Sequence, residues 1–293
     1  RIGIGGHIGI GGVRAIGRDL AFANCVCVAM TSRQCDRINS ALLGDARRQA
    51  WSNLGLWREG VTDYRMAAQA LALQLAEQMS LQAAAKVLDV ACGYGASLNL
   101  WHELDLRDIT GLEAQTACVH AWQTDLRFQC RHDTMQNLSL RAQGQTFEAV
   151  IAIDAAYQWD LQQWLQQAHA VLSPNGRLGF HFLLLADDFA QRPVWQRLCT
   201  RVLLRMVGVK TCLTQTQLQA AFNSQAHQTW TEVCITDLSN EVLGGFGQYA
   251  LRLPTTPRDF DHFKIQATGR LCRYLHRHQS VRYVSISLCK SGL

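Results

Sequence analysis

The stretch Lys86 to Leu98, KVLDVACGYGASL, constrains this chain more than any other. Val87, Leu88 and Val90 form a short apolar run suited to a strand buried on both faces. Gly93 and Gly95 follow in a turn of small residues, where a missing Cβ lets backbone pass close to a ligand. Ala96 to Leu104 then reads as a helix. A strand, turn and helix in this order present free backbone amides and the positive end of a helix dipole to whatever binds there. Asp89 adds an acceptor at the strand's end. The combination suits a nucleoside-like ligand.

A dinucleotide turn, G-x-G-x-x-G, wants its third glycine where Leu98 stands. A phosphate loop needs a Gly-Lys-Ser/Thr ending, and the turn has none. The acid followed by alternating small residues, Asp89, Ala91, Gly93 and Gly95, resembles the first motif of class I S-adenosylmethionine-dependent methyltransferases. Ala91 stands where that family usually has its first glycine, and its methyl group bears on how closely the methionine part of the cofactor approaches. Taken alone, the turn also fits a glycine bend after any buried strand.

The acids that follow extend the resemblance. DITGLEAQ reads as a second strand ending at Glu113, about two dozen residues after Asp89, the span of one strand-helix-strand unit. An ionised carboxylate there offers two oxygens and no donor, and so suits both ribose hydroxyls of a nucleoside, with Ala114 beside it. Phe128, Cys130 and His132 alternate in a third strand that leads to Asp133 and Thr134. The resemblance implies that Asp133 takes the adenine amino group and that the next residue lies against the ring. FEAVIAIDAAYQW is a fourth strand that delivers Asp154 and Tyr157 to the same sheet edge. Enzymes that methylate a nucleobase amine carry two prolines in this turn, whereas this chain has Ala155 and Ala156. DAAYQW instead resembles the acid-small-small-aromatic segment of the small-molecule branch called type 11. In that reading Tyr157 and Trp159 line the acceptor pocket, where an aromatic face stabilises a cation by about 0.5–2 kcal/mol; packing against the next helix is the alternative for Trp159.

Upstream, WSNLGLWREGVTDY resembles the aromatic segment that folds over the cofactor in small-molecule methyltransferases, which marks Tyr64 as a cofactor contact. Trp51 and Trp57 serve equally well as core cover. His181 is the histidine on a core strand near the inferred pocket, placed to act as a general base from a neutral imidazole. A hydrogen-bonded core histidine is the competing reading.

Composition bounds the rest. A chain of 293 residues with 48% hydrophobic content supports one large α/β domain with additions or two small ones, one domain being the simpler reading. Its net charge of +5 and charged fraction of 17% leave no polyanion footprint, so nucleic acid is not the expected partner. Eleven cysteines without a C-x-x-C spacing read as reduced thiols of a cytoplasmic protein without a metal site. No apolar run is long enough to cross a bilayer, so no membrane is expected. The glycine- and isoleucine-rich start lacks a convincing cleavage site for a secretory signal. Residues 1–40 are read as a disordered extension, with Met30 as a plausible start, and residues 41–293 as the domain. The resemblance implies that the helical segments within residues 186–230 form a lid that selects the substrate. The basic face of Phe260 to His278 is read as solvated, or as meeting an acidic carrier protein or a substrate phosphate.

The resemblance implies a Rossmann-like, doubly wound seven-stranded sheet of order 3-2-1-4-5-7-6 with an antiparallel last strand. It also implies methyl transfer from S-adenosyl-L-methionine to nitrogen, oxygen or carbon of a small-molecule acceptor. Two other readings share the cofactor half of the chain: an RNA or protein methyltransferase, and a non-catalytic S-adenosylmethionine-binding protein. Oligomeric state is not fixed by the sequence.

Overall fold

The computed structural model describes residues 39–106, 108–141, 144–223, 230–254 and 260–292. The expectations for the N-terminal extension and for Met30 lie outside these residues.

The strands are β1 (Lys86–Val90), β2 (Asp108–Glu113), β3 (Gln129–His132), β4 (Phe147–Ala152), β5 (Leu172–Leu185), β6 (Leu213–Thr214), β7 (Trp230–Asp237) and β8 (Val281–Lys290). They form one sheet of order β3-β2-β1-β4-β5-β8-β7, with β6 paired to β5 off that path. All neighbours are parallel except β8, which runs antiparallel to both β5 and β7. Without β6 the order is the expected one; the correction is the count. Eight strands form because Leu213 and Thr214, inside the segment expected as a lid, pair with Leu184 and Leu185. The segment expected as a helical lid is therefore not wholly helical.

Side chains alternate between two apolar layers, as a sheet covered on both faces requires. Val87 of β1 and Ala149 and Ile151 of β4 face one core, whereas Leu88, Val90, Val150 and Ala152 face the other. Helices α1 (Tyr64–Gln78) and α2 (Ala96–Glu103) bury Leu71, Leu75 and Trp101 in the first layer. Helix α3 (Leu161–Val171) buries Trp164, Leu165 and Ala168 in the second. Asp63 caps α1 by accepting the Met66 amide at 2.9 Å. Helices α4 (Val194–Met206) and α5 (Gln215–Asn223) flank β6. After β7, a wide turn at Asn240–Gly244 leads into α6 (Gly245–Arg252), and α7 (Phe260–His278) then returns the chain to β8. The parallel topology sets Asp89, Glu113, Asp133 and Asp154 at or just beyond the C-terminal ends of β1 to β4, where open α/β sheets bind ligands.

Trp164 is fully buried under β5, its ring 6.1 Å from that of Phe180. Trp164→Ala should cost about 3–5 kcal/mol, read as a shift of the denaturant midpoint.

Candidate cofactor-binding site

The turn after β1 is wound by left-handed residues: Ala91, Gly93 and Gly95 have φ of +59°, +57° and +83°. For Ala91 that conformation costs roughly 1–2 kcal/mol, so the surrounding contacts have to hold it there. Two residues do most of the holding. The Glu113 carboxylate, 5% exposed, accepts the Gly93 amide at 2.9 Å through Oε2 and the Gln115 amide at 2.8 Å through Oε1. The Trp122 indole donates to the Gly93 carbonyl at 3.0 Å. Its ring fills the space beside the turn, so that a Cβ on Gly95 or on Gly111 would stand 2.8 Å from a ring carbon. Gly95 is the N-cap of α2 without a side-chain cap, which leaves the helix's first amides to a ligand.

Asp89 lies beneath this turn and is 1% exposed. Its Oδ2 accepts the Trp101 indole at 2.7 Å, and its Oδ1 has no hydrogen-bond partner among the described residues. Burial pushes its pKa up to about 6, against the pull of Ser97 and Trp101. The cleft above it is lined by Trp51, Ser52, Asn53, Asp89, Ala91 and Ser97.

Residues 50–57 cross this cleft as a strap, fastened by its polar atoms. The Trp51 amide donates to Asp45 Oδ2 at 2.9 Å, and Asn53 donates to the Ala68 carbonyl at 3.1 Å. Tyr64, expected as a cofactor contact, is 1% exposed and gives its hydroxyl to the Asn53 carbonyl at 2.8 Å. It holds the strap from behind instead of facing the cleft.

Asp154 occupies the end of β4 with φ of +52° and fastens the strap from the other side. Its Oδ2 accepts the Leu54 amide at 2.8 Å and its Oδ1 the Tyr283 hydroxyl at 2.8 Å. Burial raises its pKa to about 6, while the Tyr283 and Tyr157 hydroxyls and the Leu54 amide pull it back. The carboxylate is thus taken up by the protein and is not open to a cofactor.

His181 stands next to it on β5, fully buried, its ring 5.5 Å from that of Tyr283. Its Nδ1 accepts the Asp154 amide at 3.2 Å, and since an amide only donates, the proton of the neutral ring belongs on Nε2. Burial lowers its pKa to about 3. With its one lone pair already used, the imidazole cannot take a proton from an acceptor, so its part is to fix the backbone of Asp154.

Tyr157 is half-buried in the turn Ala156–Gln158, and burial together with Asp154 pushes its hydroxyl well above the usual phenol range. Trp159 packs on Trp164, ring centroids 5.0 Å apart. Asp133 accepts the Thr134 amide at 2.7 Å and the Asn137 side-chain amide at 2.8 Å, tightening the turn after β3. Ala114 and Thr134 are exposed at that edge. Asp89, Ala91, Gly93, Gly95 and Glu113 therefore share one site, Asp133 and Thr134 sit at its outer edge, and Asp154, Tyr157 and His181 form a second cluster beside the end of β4. Sequence reasoning missed Trp122, Trp101, Asn53 and Tyr283. The one signal for Trp122 was Gly111, a glycine inside a strand, which marks a close approach.

Residues 87–176 match the methyltransferase domain family. The erythromycin 3''-O-methyltransferase of Saccharopolyspora erythraea is 29% identical over 147 residues, 47% of each chain. The chain thus spans about half the length of the curated relative it matches. Among solved structures, the geranyl diphosphate C-methyltransferase of Streptomyces coelicolor A3(2) is similar with a TM-score of 0.63 at 12% identity, covering 86% of this chain and 97% of that one. The cyclopropane synthase MmaA2 of Mycobacterium tuberculosis has a TM-score of 0.64 at 16% identity, covering 92% and 98%. The chain has the fold of the class I S-adenosylmethionine-dependent methyltransferases.

Two outcomes follow from this geometry. Glu113→Ala should destabilise the protein by roughly 3 kcal/mol, because two amides lose a charged acceptor; thermal and denaturant melts measure it. An acid at an open strand end would have left stability unchanged. For His181, the unfolded chain takes up a proton below about pH 6.5 and the folded chain does not, so its contribution to stability is full above that pH and is lost as pH falls. The stability gap between the parent and His181→Gln should therefore narrow by about 1.4 kcal/mol per pH unit from pH 6.5 toward 4. A gap independent of pH would show that the imidazole is not held neutral.

Proposed function

We propose that this chain, whose residues 87–176 match the methyltransferase domain family, transfers a methyl group from S-adenosyl-L-methionine to an oxygen, nitrogen or carbon atom of a small-molecule metabolite. The observation that carries the reading is the glycine turn clamped by Glu113 inside the matched segment, at the carboxyl edge of a sheet with this family's strand order. The residues suit the cofactor. Asp89 keeps a buried carboxylate oxygen without a partner, α2 begins with uncapped amides, and each Glu113 oxygen retains a second lone pair for a ribose hydroxyl.

S-adenosylmethionine, when bound, supplies an electrophilic methyl group on a sulfonium for in-line displacement. The chain's part is alignment and exclusion of water. Asp89, Ala91, Gly93 and Glu113 set the nucleoside and amino-acid ends, with Asp133 and Thr134 at the adenine edge. The strap at residues 50–57 covers the cleft. Tyr157, backed by Asp154, orients the acceptor. His181, through its bond to the Asp154 amide, is a positioning residue.

The S. erythraea relative is an O-methyltransferase and one structural neighbour acts on geranyl diphosphate by its name, which supports a hydroxylated or lipophilic acceptor here. Among the described residues every cysteine is a free thiol, in keeping with a cytoplasmic protein.

Calorimetry tests the reading: S-adenosylhomocysteine should bind and NAD should not, whereas NAD binding without either adenosyl ligand would overturn it. Glu113→Ala should weaken S-adenosylhomocysteine about ten- to a hundredfold, at 1.4 kcal/mol per factor of ten. Tyr157→Phe should lower kcat with a lipophilic alcohol acceptor and leave cofactor Kd unchanged. Cofactor binding without turnover across a panel of acceptors would assign the chain to the non-catalytic class.

A further inference from the structure

The longest acid-free stretch of the described chain lies where the lid was expected. Between Asp188 and Glu232 there is no Asp or Glu, while Arg192, Arg197, Arg201, Arg205 and Lys210 are all basic. Arg192 is paired with Asp188 at 2.9 Å. Arg201, Arg205 and Lys210 are exposed, and no acidic partner is found for them among the described residues.

Helix α4 carries most of this stretch. It turns Thr200, Leu203 and Leu204 inward and presents Val194, Leu198 and Val202 outward, exposed by 71%, 63% and 37%. These three recur every fourth residue and so form one continuous stripe, about 12 Å long at 1.5 Å per residue. Arg201 and Arg205 stand three residues beyond Leu198 and Val202, directly beside the stripe. The outermost surface of the helix is therefore apolar tips edged by guanidinium groups without an acidic partner among the described residues, that of Arg201 lying 5.7 Å from the centre of the Phe189 ring.

We propose that α4 is a membrane-surface element that seats on anionic lipid. The stripe is convex and offers a few hundred Å² at most, short of the roughly 800 Å² per partner that a stable protein interface buries. Shallow insertion among headgroups needs no matching groove, and the adjacent cations supply the rest of the attraction to lipid phosphates. The absence of a membrane-spanning helix among the described residues bears on crossing a bilayer, not on lying against one. The position also fits. The loop after α4 donates the Lys210 amide to the Tyr157 carbonyl at 3.1 Å, so the seated helix adjoins the turn assigned to the acceptor.

Flotation of the full chain with vesicles tests this. Vesicles of phosphatidylcholine containing phosphatidylglycerol should carry the protein upward at low salt, and phosphatidylcholine alone should not. Leu198→Glu, and separately Arg201→Glu with Arg205→Glu, should each reduce the bound fraction by about tenfold or more. Both sets lie on the solvent face, so melting temperature and S-adenosylhomocysteine affinity should stay at parent values. No flotation of the parent with anionic vesicles, or equal flotation of parent and variants, overturns the proposal. An acidic protein that binds the parent, loses the variants and leaves the vesicles unbound would replace lipid as the occupant and likewise overturns it.

Discussion

The carboxylate of Glu113 reaching back to the Gly93 amide is the contact on which the site depends. A turn with three left-handed residues has no regular hydrogen-bond ladder of its own, so a neighbouring strand has to hold it. β2 does so in register: Asp89 pairs with Gly111 and Val90 with Leu112, which brings Glu113 level with the turn. Trp122 completes the hold by donating to the Gly93 carbonyl, so both polar groups of that residue's backbone are occupied from the same side. The cofactor-side residues inherit their positions from this pair of contacts.

Of the described non-glycine residues with positive φ, two lie at strand ends beside the cleft. Ala91 and Asp154 both adopt positive φ without being glycine, one ending β1 and the other β4. Each is over-determined by its neighbours: Ala91 by its amide bond to the Leu112 carbonyl at 2.8 Å, Asp154 by His181, Tyr283 and Leu54. Such residues are held only where the surroundings fix them, and they concentrate at working sites. Here they mark the two walls between which the strap is stretched.

The fold was legible because its signals are local. The apolar strands β1, β2 and β4 and the extent of α7 follow from short-range pattern. β6 was not legible, since two residues carry no period and pair only because the chain returns to the end of β5. Among site residues, the alternation of Asp89, Ala91, Gly93 and Gly95 marked the turn. Tyr64, by contrast, shows that position near a pocket does not reveal direction: its ring points into the core, fixed by the Asn53 carbonyl of the folded-back strap. His181 is a similar case, because its protonation and its one acceptor are set by Asp154, 27 positions away. Trp122 and Tyr283 belong to the site only through packing across the sheet.

The short strand β6 gives the segment between α4 and α5 a mechanical character. β8 covers one edge of β5 through Leu185, while β4 leaves the other edge after Phe180, and β6 takes up that edge at Leu184 and Leu185. The segment from α4 to α5 is therefore stitched into the main sheet and does not swing as a free flap. Moving this segment away from β5 would first break these bridges, so its displacement is tied to a local melting of the sheet edge and inherits that edge's stability.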